Sequence, residues 1–246
     1  MKLRVVLVEP LYEGNVGSVA RAMKNFGFEE LVLVNPCSIE DFGLAMASHA
    51  RDVLQGARTV SCLEEALEGA NLVVGTTGKR LEEQQRHLRL HLRLPCLTPA
   101  ELALKLQGKE GTVALLLGSE DCGLNSDELA ICDLVVSIPT SVKYPVMNLS
   151  HAAAILFCEL SQVEGGGAVE MAHRESLLLL HDRFRLLLQE AGYPEHKVEF
   201  TLLMLRRVLG RAELTEREAR TLLGVIKNIR WRMGSCESGS LPQEPE

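Results

Sequence analysis

The sequence predicts an α/β protein, a parallel sheet with helices on both faces, followed by a small C-terminal all-helical extension. Three observations lead there. Short Val/Leu-rich runs alternate with helix-like stretches through the first two thirds of the chain, the order that builds parallel sheets through crossover helices. Those runs lack the polar alternation of a half-solvated strand, so both of their faces are buried. After Asn148 the strand-like runs stop and only helical spacing continues.

In chain order, strands are expected at 3–8, 31–34, 57–60, 71–74, 112–117 and 133–136. Helices are expected between them at about 15–26, 42–55, 62–69, 98–107 and 125–130, with Ser61 and Thr98 as N-caps. One apolar helix follows over 149–163, and Gly165-Gly166-Gly167 then forms the only glycine cluster, the best linker candidate. Beyond it, 168–191 carries Leu177, Leu180, Phe184, Leu187, Leu188 and Ala191 at helical spacing, and Gly192-Tyr193-Pro194 stops that helix. A second helix is expected over 196–209, and Thr215 with Glu218 opens a third in a capping-box arrangement. The expected organisation is therefore 1–164 for the sheet domain, 165–233 for the helical extension and 234–246 for a disordered tail.

Composition narrows the functional classes. The chain has 246 residues, 46% hydrophobic and 24% charged, which suits a globular protein. Its longest apolar runs, such as Val113-Ala114-Leu115-Leu116-Leu117, fall far short of the roughly 20 residues that cross a bilayer. Met1-Lys2-Leu3-Arg4 opens into a strand rather than a signal peptide, so a cytoplasmic location with no membrane partner is expected. Seven cysteines with no C-x-x-C give neither a disulfide framework nor a zinc site, and mostly buried, reduced thiols are expected. His87 and His91 lack a third ligand nearby, so no metal is expected.

Net charge is −7, which argues against indiscriminate nucleic-acid binding, and no DNA partner is expected. Its distribution is uneven. From Lys79 to Arg93 there are five basic residues against two acidic, and from Arg206 to Arg232 eight against three. An acidic body with two basic segments can dock a phosphate backbone locally, although solvated helix faces would give the same pattern.

The first expected strand is not followed by G-x-G-x-x-G, which demotes a nicotinamide dehydrogenase. Instead comes Glu13-Gly14-Asn15-Val16-Gly17-Ser18-Val19-Ala20-Arg21, a glycine-containing loop feeding a helix. This is either a ligand position or simply a helix capped by Asn15 with Arg21 on the surface. Val73-Val74-Gly75-Thr76-Thr77-Gly78 and Leu117-Gly118-Ser119-Glu120-Asp121-Cys122-Gly123-Leu124 are two further strand ends with small residues. A last one, Ile138-Pro139-Thr140, leads through Tyr144-Pro145-Val146-Met147 to Asn148-Leu149-Ser150 and a helix. Together such ends could form one backbone-lined pocket for a flat ligand such as adenine. Cys122, with no paired base, reads as packing rather than as a nucleophile, and His151 as a surface or interface residue.

In three ordered motifs the sequence resembles the SPOUT superfamily of S-adenosylmethionine-dependent RNA methyltransferases, and within it the SpoU (TrmH-like) 2′-O-methyltransferases. The motifs are N-x-G-S-x-A-R from Asn15 to Arg21, G-S-E-x-x-G-L from Gly118 to Leu124, and Ile138-Pro139 followed by Met147-Asn148-Leu149-Ser150. The extension, through Leu205-Arg206-Arg207, Gly210-Arg211-Ala212 and Leu214-Thr215-Glu216-Arg217-Glu218, resembles that of tRNA-specific members. The resemblance implies a C-terminal deep trefoil knot in the sheet domain and a homodimer with a composite active site. It implies S-adenosyl-L-methionine as cofactor, held by Thr76, Thr77, Gly78, Leu117, Gly118, Ile138, Pro145, Val146 and Met147. It assigns the polar active-site roles to Arg21, Asn15, Glu120 and Asn148.

The same resemblance implies methylation of a ribose 2′-hydroxyl in tRNA, at a pyrimidine of the anticodon loop, position 32. Lys79, Arg80, Arg86, Arg206, Arg207 and Arg211 would hold its phosphates. An rRNA 2′-O-methyltransferase fits the three motifs equally, and a knotted RNA-binding protein without catalysis is the rival from another class. Many members carry serine where this chain has Val146, so a hydroxyl role there does not transfer. The family gives the Arg21 position the activating role, yet a guanidinium ordinarily cannot accept a proton. Arg21 is then either a base deprotonated in the assembled site or a cation that steadies a phosphate and the nascent alkoxide.

Overall fold

The computed structural model describes residues 1–78, 96–163 and 169–237. Two compact units divide the chain, 1–171 and 172–246. The first unit therefore continues past the glycine cluster at 165–167, which lies outside the described residues. Lys79, Arg80, Arg86 and the two histidines at 87 and 91 also lie outside them.

In the first unit, β1 (Lys2–Val8), β2 (Glu30–Val34), β3 (Arg58–Val60), β4 (Leu72–Thr76), β5 (Cys96–Leu97), β7 (Thr112–Leu117) and β8 (Leu134–Val136) form one parallel sheet. Its order is β3-β2-β1-β7-β4-β8-β5. All six expected strands are present within a residue or two of their expected ends. β5 was not expected, nor was the separate two-stranded pair of β6 (Lys109–Glu110) with β9 (Val169–Glu170). Each of these additions is two residues long and carries too little pattern to stand out.

Register explains the burial on both faces. Val6 pairs with Leu116 and Leu7 with Leu117, so neighbouring positions send side chains to opposite sides. Val5, Leu7, Val74, Leu115 and Leu117 join one core. Val6, Val8, Val73, Ala114, Leu116 and Val135 join the other. The first core is covered by α1 (Glu13–Asn25), α2 (Asp41–Ala47), α3 (Arg51–Gln55), α5 (Pro99–Leu106) and α7 (Leu149–Leu160). The second is covered by α4 (Leu63–Ala66) and α6 (Ser126–Ala130).

Several helix details correct the expectation. The stretch 42–55 is two helices joined by a short 3-10 turn, Ser48–Ala50, with Ser48 at φ 54° and ψ −116°. Bending there lets both α2 and α3 pack on α1. Gly17 in α1 makes that packing possible, because a Cβ at this position would lie 2.1 Å from the Gly43 carbonyl oxygen. Ser61 is not an N-cap: Cys62 holds that position, and the Ser61 hydroxyl donates to Glu65 instead. Thr98 does cap α5, in a reciprocal bond pair with Glu101.

The six thiols whose burial is described are less buried than expected. Cys132 is buried, but Cys122 and Cys158 are exposed and Cys37, Cys62 and Cys96 are half-buried.

The second unit consists of α8 (Arg174–Glu190), α9 (Glu195–Ala212) and α10 (Glu216–Glu237). The expected Thr215–Glu218 capping box is present. α10 runs through Glu237, so Gly234 lies inside a helix and does not open the tail. Among the described residues, no helix is long and apolar enough to cross a membrane.

Candidate active site

The site grows from the carboxyl ends of β1, β7, β4 and β8, which are consecutive in the sheet. In an open parallel sheet all four ends open on the same edge, where ligands bind. Three loops converge there.

The loop after β7 folds back on itself. Gly123 donates its N–H to the Ser119 carbonyl at 2.9 Å, and a Cβ on Gly118 would sit 2.2 Å from the backbone of Gly123 and Leu124. Only glycine permits that closeness, and the turn it allows presents Glu120. Inside the turn, Ser119 Oγ donates to Asp121 at 2.8 Å and lies 3.1 Å from Cys122 Sγ. The Ser119 hydroxyl first, and then the Cys122 thiol, hold the Asp121 carboxyl below its ordinary pKa by hydrogen bonding to it. Cys122 is therefore an exposed member of the turn and not a packed side chain.

Glu120 joins the loops. One carboxylate oxygen accepts from the Leu11 N–H at 2.8 Å and the other from Asn15 Nδ2 at 2.9 Å. Asn15 Oδ1 in turn accepts from Asn148 Nδ2 at 3.1 Å. Asn148 is the N-cap of α7, and its Oδ1 accepts from the Ser150 N–H at 2.9 Å and the Ser150 hydroxyl at 2.7 Å. Every amide orientation in this chain is thus fixed by a partner. The reading of Asn15 as a mere cap fails, because α1 begins at Glu13 with Tyr12 in the cap position. Burial, with Glu120 and Glu13 nearby, raises the pKa of the Cys37 thiol and keeps it protonated.

Asn15, Glu120 and Asn148 line a cavity of about 660 Å³ together with Tyr12, Thr140, Tyr144, Val146, Met147, Leu149 and His151. Of the expected residues, Asn15, Glu120, Asn148, Val146 and Met147 meet here. Thr76, Thr77, Gly78, Leu117, Gly118, Ile138 and Pro145 do not line this cavity but stand at the adjoining strand ends. There Thr77 donates its N–H to the Val136 carbonyl at 3.0 Å. Thr140 Oγ1 donates to the Pro145 carbonyl at 3.1 Å, and a Cβ on Gly78 would lie 4.0 Å from that same oxygen. Leu117 is 1% exposed, and its side chain belongs to the first core.

Arg21 stands apart. It lies six residues after Asn15, roughly 9 Å along α1 and about 120° around it, exposed and outside the cavity wall. Among the described residues its side chain has no hydrogen bond or ion pair. Sequence reasoning missed Tyr12, Thr140, Tyr144 and His151 as cavity residues. Tyr12 precedes the first motif and the others fall in or beside the third, so proximity to motif positions was the available signal.

In the helical unit, Arg211 is exposed and Arg206 half-buried, but Arg207 is 3% exposed. Arg207 is therefore corrected from a phosphate contact to a buried member of the helix packing. Among the described residues no three His, Cys, Asp or Glu side chains are placed to hold a metal.

Residues 2–158, which hold the sheet and the Glu120-Asn15-Asn148 network, match the SpoU rRNA Methylase family. The chain belongs to that family. It is 39% identical to the tRNA (cytidine-2′-O-)-methyltransferase TrmJ of Methanocaldococcus jannaschii, over 92% of this chain and 98% of that relative. To the tRNA (cytidine/uridine-2′-O-)-methyltransferase TrmJ of Pectobacterium atrosepticum it is 34% identical, over 92% and 96% of the two chains. Its structure superposes on the crystal structure of TrmJ from Z. mobilis ZM4 with a TM-score of 0.76 at 28% identity, covering 94% of this chain and all of that one.

Proposed function

We propose that this chain is an S-adenosyl-L-methionine-dependent methyltransferase that methylates a ribose 2′-hydroxyl of tRNA, at a pyrimidine of the anticodon loop, in the cytoplasm. The observation that carries the reading is the bonded chain Glu120-Asn15-Asn148, which joins three sequence-distant loops at one sheet edge. Similarity over nearly the whole length to the tRNA methyltransferases named above supports tRNA over rRNA as substrate.

The strand ends fit the cofactor. Thr76, Thr77, Gly78, Gly118, Ile138 and Pro145 bring backbone groups and small or aliphatic side chains, which suit a flat, neutral adenosine. Val146 and Met147 extend that surface into the cavity. When bound, S-adenosyl-L-methionine supplies an electrophilic methyl group on a sulfonium.

The rest falls to the protein. Asn15 and Asn148, locked by Glu120 and Ser150, hold the ribose in one orientation so that its 2′-oxygen lies in line for attack. Arg21 provides the cation that stabilises charge developing on that oxygen as its proton passes to water. Its exposure and its displacement around α1 favour action on the cavity of a second subunit, hence a homodimer with shared sites. The sheet domain carries a deep trefoil knot over its C-terminal part, bringing the 138–148 loop against 76–78. Lys79, Arg80, Arg86, Arg206 and Arg211 hold tRNA phosphates.

The test is methyl transfer from labelled cofactor into tRNA and, separately, rRNA, followed by nucleoside mass spectrometry. 2′-O-methylcytidine or 2′-O-methyluridine from tRNA is the expected product. Label in rRNA alone, or in neither, overturns the reading. For the shared site, dimers mixing Arg21→Ala subunits with Gly118→Ala subunits should regain activity that neither parent shows, and no recovery removes the cross-subunit role.

A further inference from the structure

The chain is poor in aromatics, at 4%, and contains three tyrosines. Two of them, Tyr12 and Tyr144, line the active-site cavity. They are 63% and 79% exposed, and among the described residues neither phenol hydroxyl has a hydrogen-bond partner. Tyr12 occupies the N-cap of α1 without capping it, although that position strongly favours Ser, Thr, Asp or Asn. Local rules broken in this way concentrate at functional sites. Val146, beside them, is 65% exposed as well, so one part of the cavity is apolar and uncovered.

Apart from the exposed His151, the polar part is otherwise occupied. Glu120, Asn15 and Asn148 bond to one another, and Thr140 is tied to Pro145. Few groups remain to read the edge of a base, whereas a planar base can cover exposed rings. We propose that Tyr12 and Tyr144 form the stacking platform for the base of the target nucleotide, with its ribose turned toward Asn15 and Asn148. This rests on the methyltransferase reading above and adds to it the means by which the base is held. Stacking accepts any base face, so the platform predicts tolerance between cytidine and uridine rather than strict edge recognition.

The test compares tRNA carrying or lacking the base at the ribose that the wild-type protein methylates. Wild type should lose about 5- to 150-fold in kcat/KM when the base is removed. Tyr12→Ala and Tyr144→Ala should lose a comparable factor on intact tRNA and little more on the abasic substrate. The Tyr→Phe variants should recover most of the activity that the Ala variants lose, and unchanged Tm values show that the Ala variants fold. If the Ala variants match wild type on intact tRNA, or lose as much as wild type on base removal, the platform is wrong while the methyltransferase reading stands. If the Phe variants fail like the Ala variants, the hydroxyls rather than the rings act, and the platform is again wrong. If wild type transfers no methyl to RNA, both readings fall.

Discussion

The two units achieve order by different means. In the first, a parallel sheet is sandwiched so that Val5, Val6, Leu7, Leu115 and Leu116 are each 0% exposed. In the second, three helices of 17, 18 and 22 residues bury few apolar side chains, chiefly Leu180, Val198, Leu202, Ala219 and Ile226. Leu178, Leu179, Phe200, Val208, Val225, Ile229 and Trp231 stay exposed. A dense double core fixes loop ends to within a hydrogen bond, as the Glu120-Asn15-Asn148 chain requires. A thin helical core gives no such anchorage, and suits a surface that works through charge.

The largest test of this contrast is Arg21→Ala. The residue is exposed and unpaired among the described residues, so methyl transfer should fall about 10²- to 10³-fold while Tm holds. A parallel fall in Tm would make Arg21 structural.

Core truncation comes next. Leu115→Ala should destabilise the protein by about 3–5 kcal/mol, and Leu202→Ala by about 2 kcal/mol, because a cavity in the sheet core cannot collapse. Denaturant unfolding of the full chain measures both, and equal losses would abolish the distinction.

A third prediction concerns His181. Burial first, then Arg206, Arg174 and Arg185, push its pKa from 6.5 down to about 4. The unfolded chain thus binds the proton first, so stability is held above pH 6.5 and lost as pH falls toward 4. The loss should be on the order of 3 kcal/mol, and His181→Gln should flatten that part of the stability profile. An unaltered profile would place the acid sensitivity elsewhere.

The smallest effect is expected from Arg211→Gln. Binding to tRNA should weaken alike for all tRNAs, and the slope of log affinity against log salt should decrease by about 1. An unchanged slope would remove Arg211 from the phosphate-binding set.

These tests also bear on what could be read from the amino-acid order. Buried strands such as Thr112–Leu117 announce themselves, because burial on both faces demands continuous Val and Leu. The pair Lys109–Glu110 and Val169–Glu170 carries no such mark, since its pairing is decided by tertiary placement. The break at Ser48 was equally silent: it follows from fitting α2 and α3 onto one neighbour, which no local preference encodes. In the site, Asn15, Glu120 and Asn148 were legible as motif members, but not that Glu120 would orient Asn15 and Asn15 would engage Asn148. Tyr12 and Tyr144 were hidden because an exposed aromatic means nothing until a cavity is seen beside it. Arg207 was misplaced because its helix phase, and not its charge, decides which way it faces.

The bond chain at the sheet edge spans 105 positions between Asn15 and Glu120 and 133 between Asn15 and Asn148. During synthesis at about 5–20 residues per second, Asn15 leaves the ribosome roughly 7–27 s before Asn148 can reach it. For most of that interval the first motif exists without its partners, and a half-made chain has no assembled site with which to engage an RNA. The place of the last contact in the sequence thus doubles as a clock, tying competence for catalysis to near-completion of the unit that performs it.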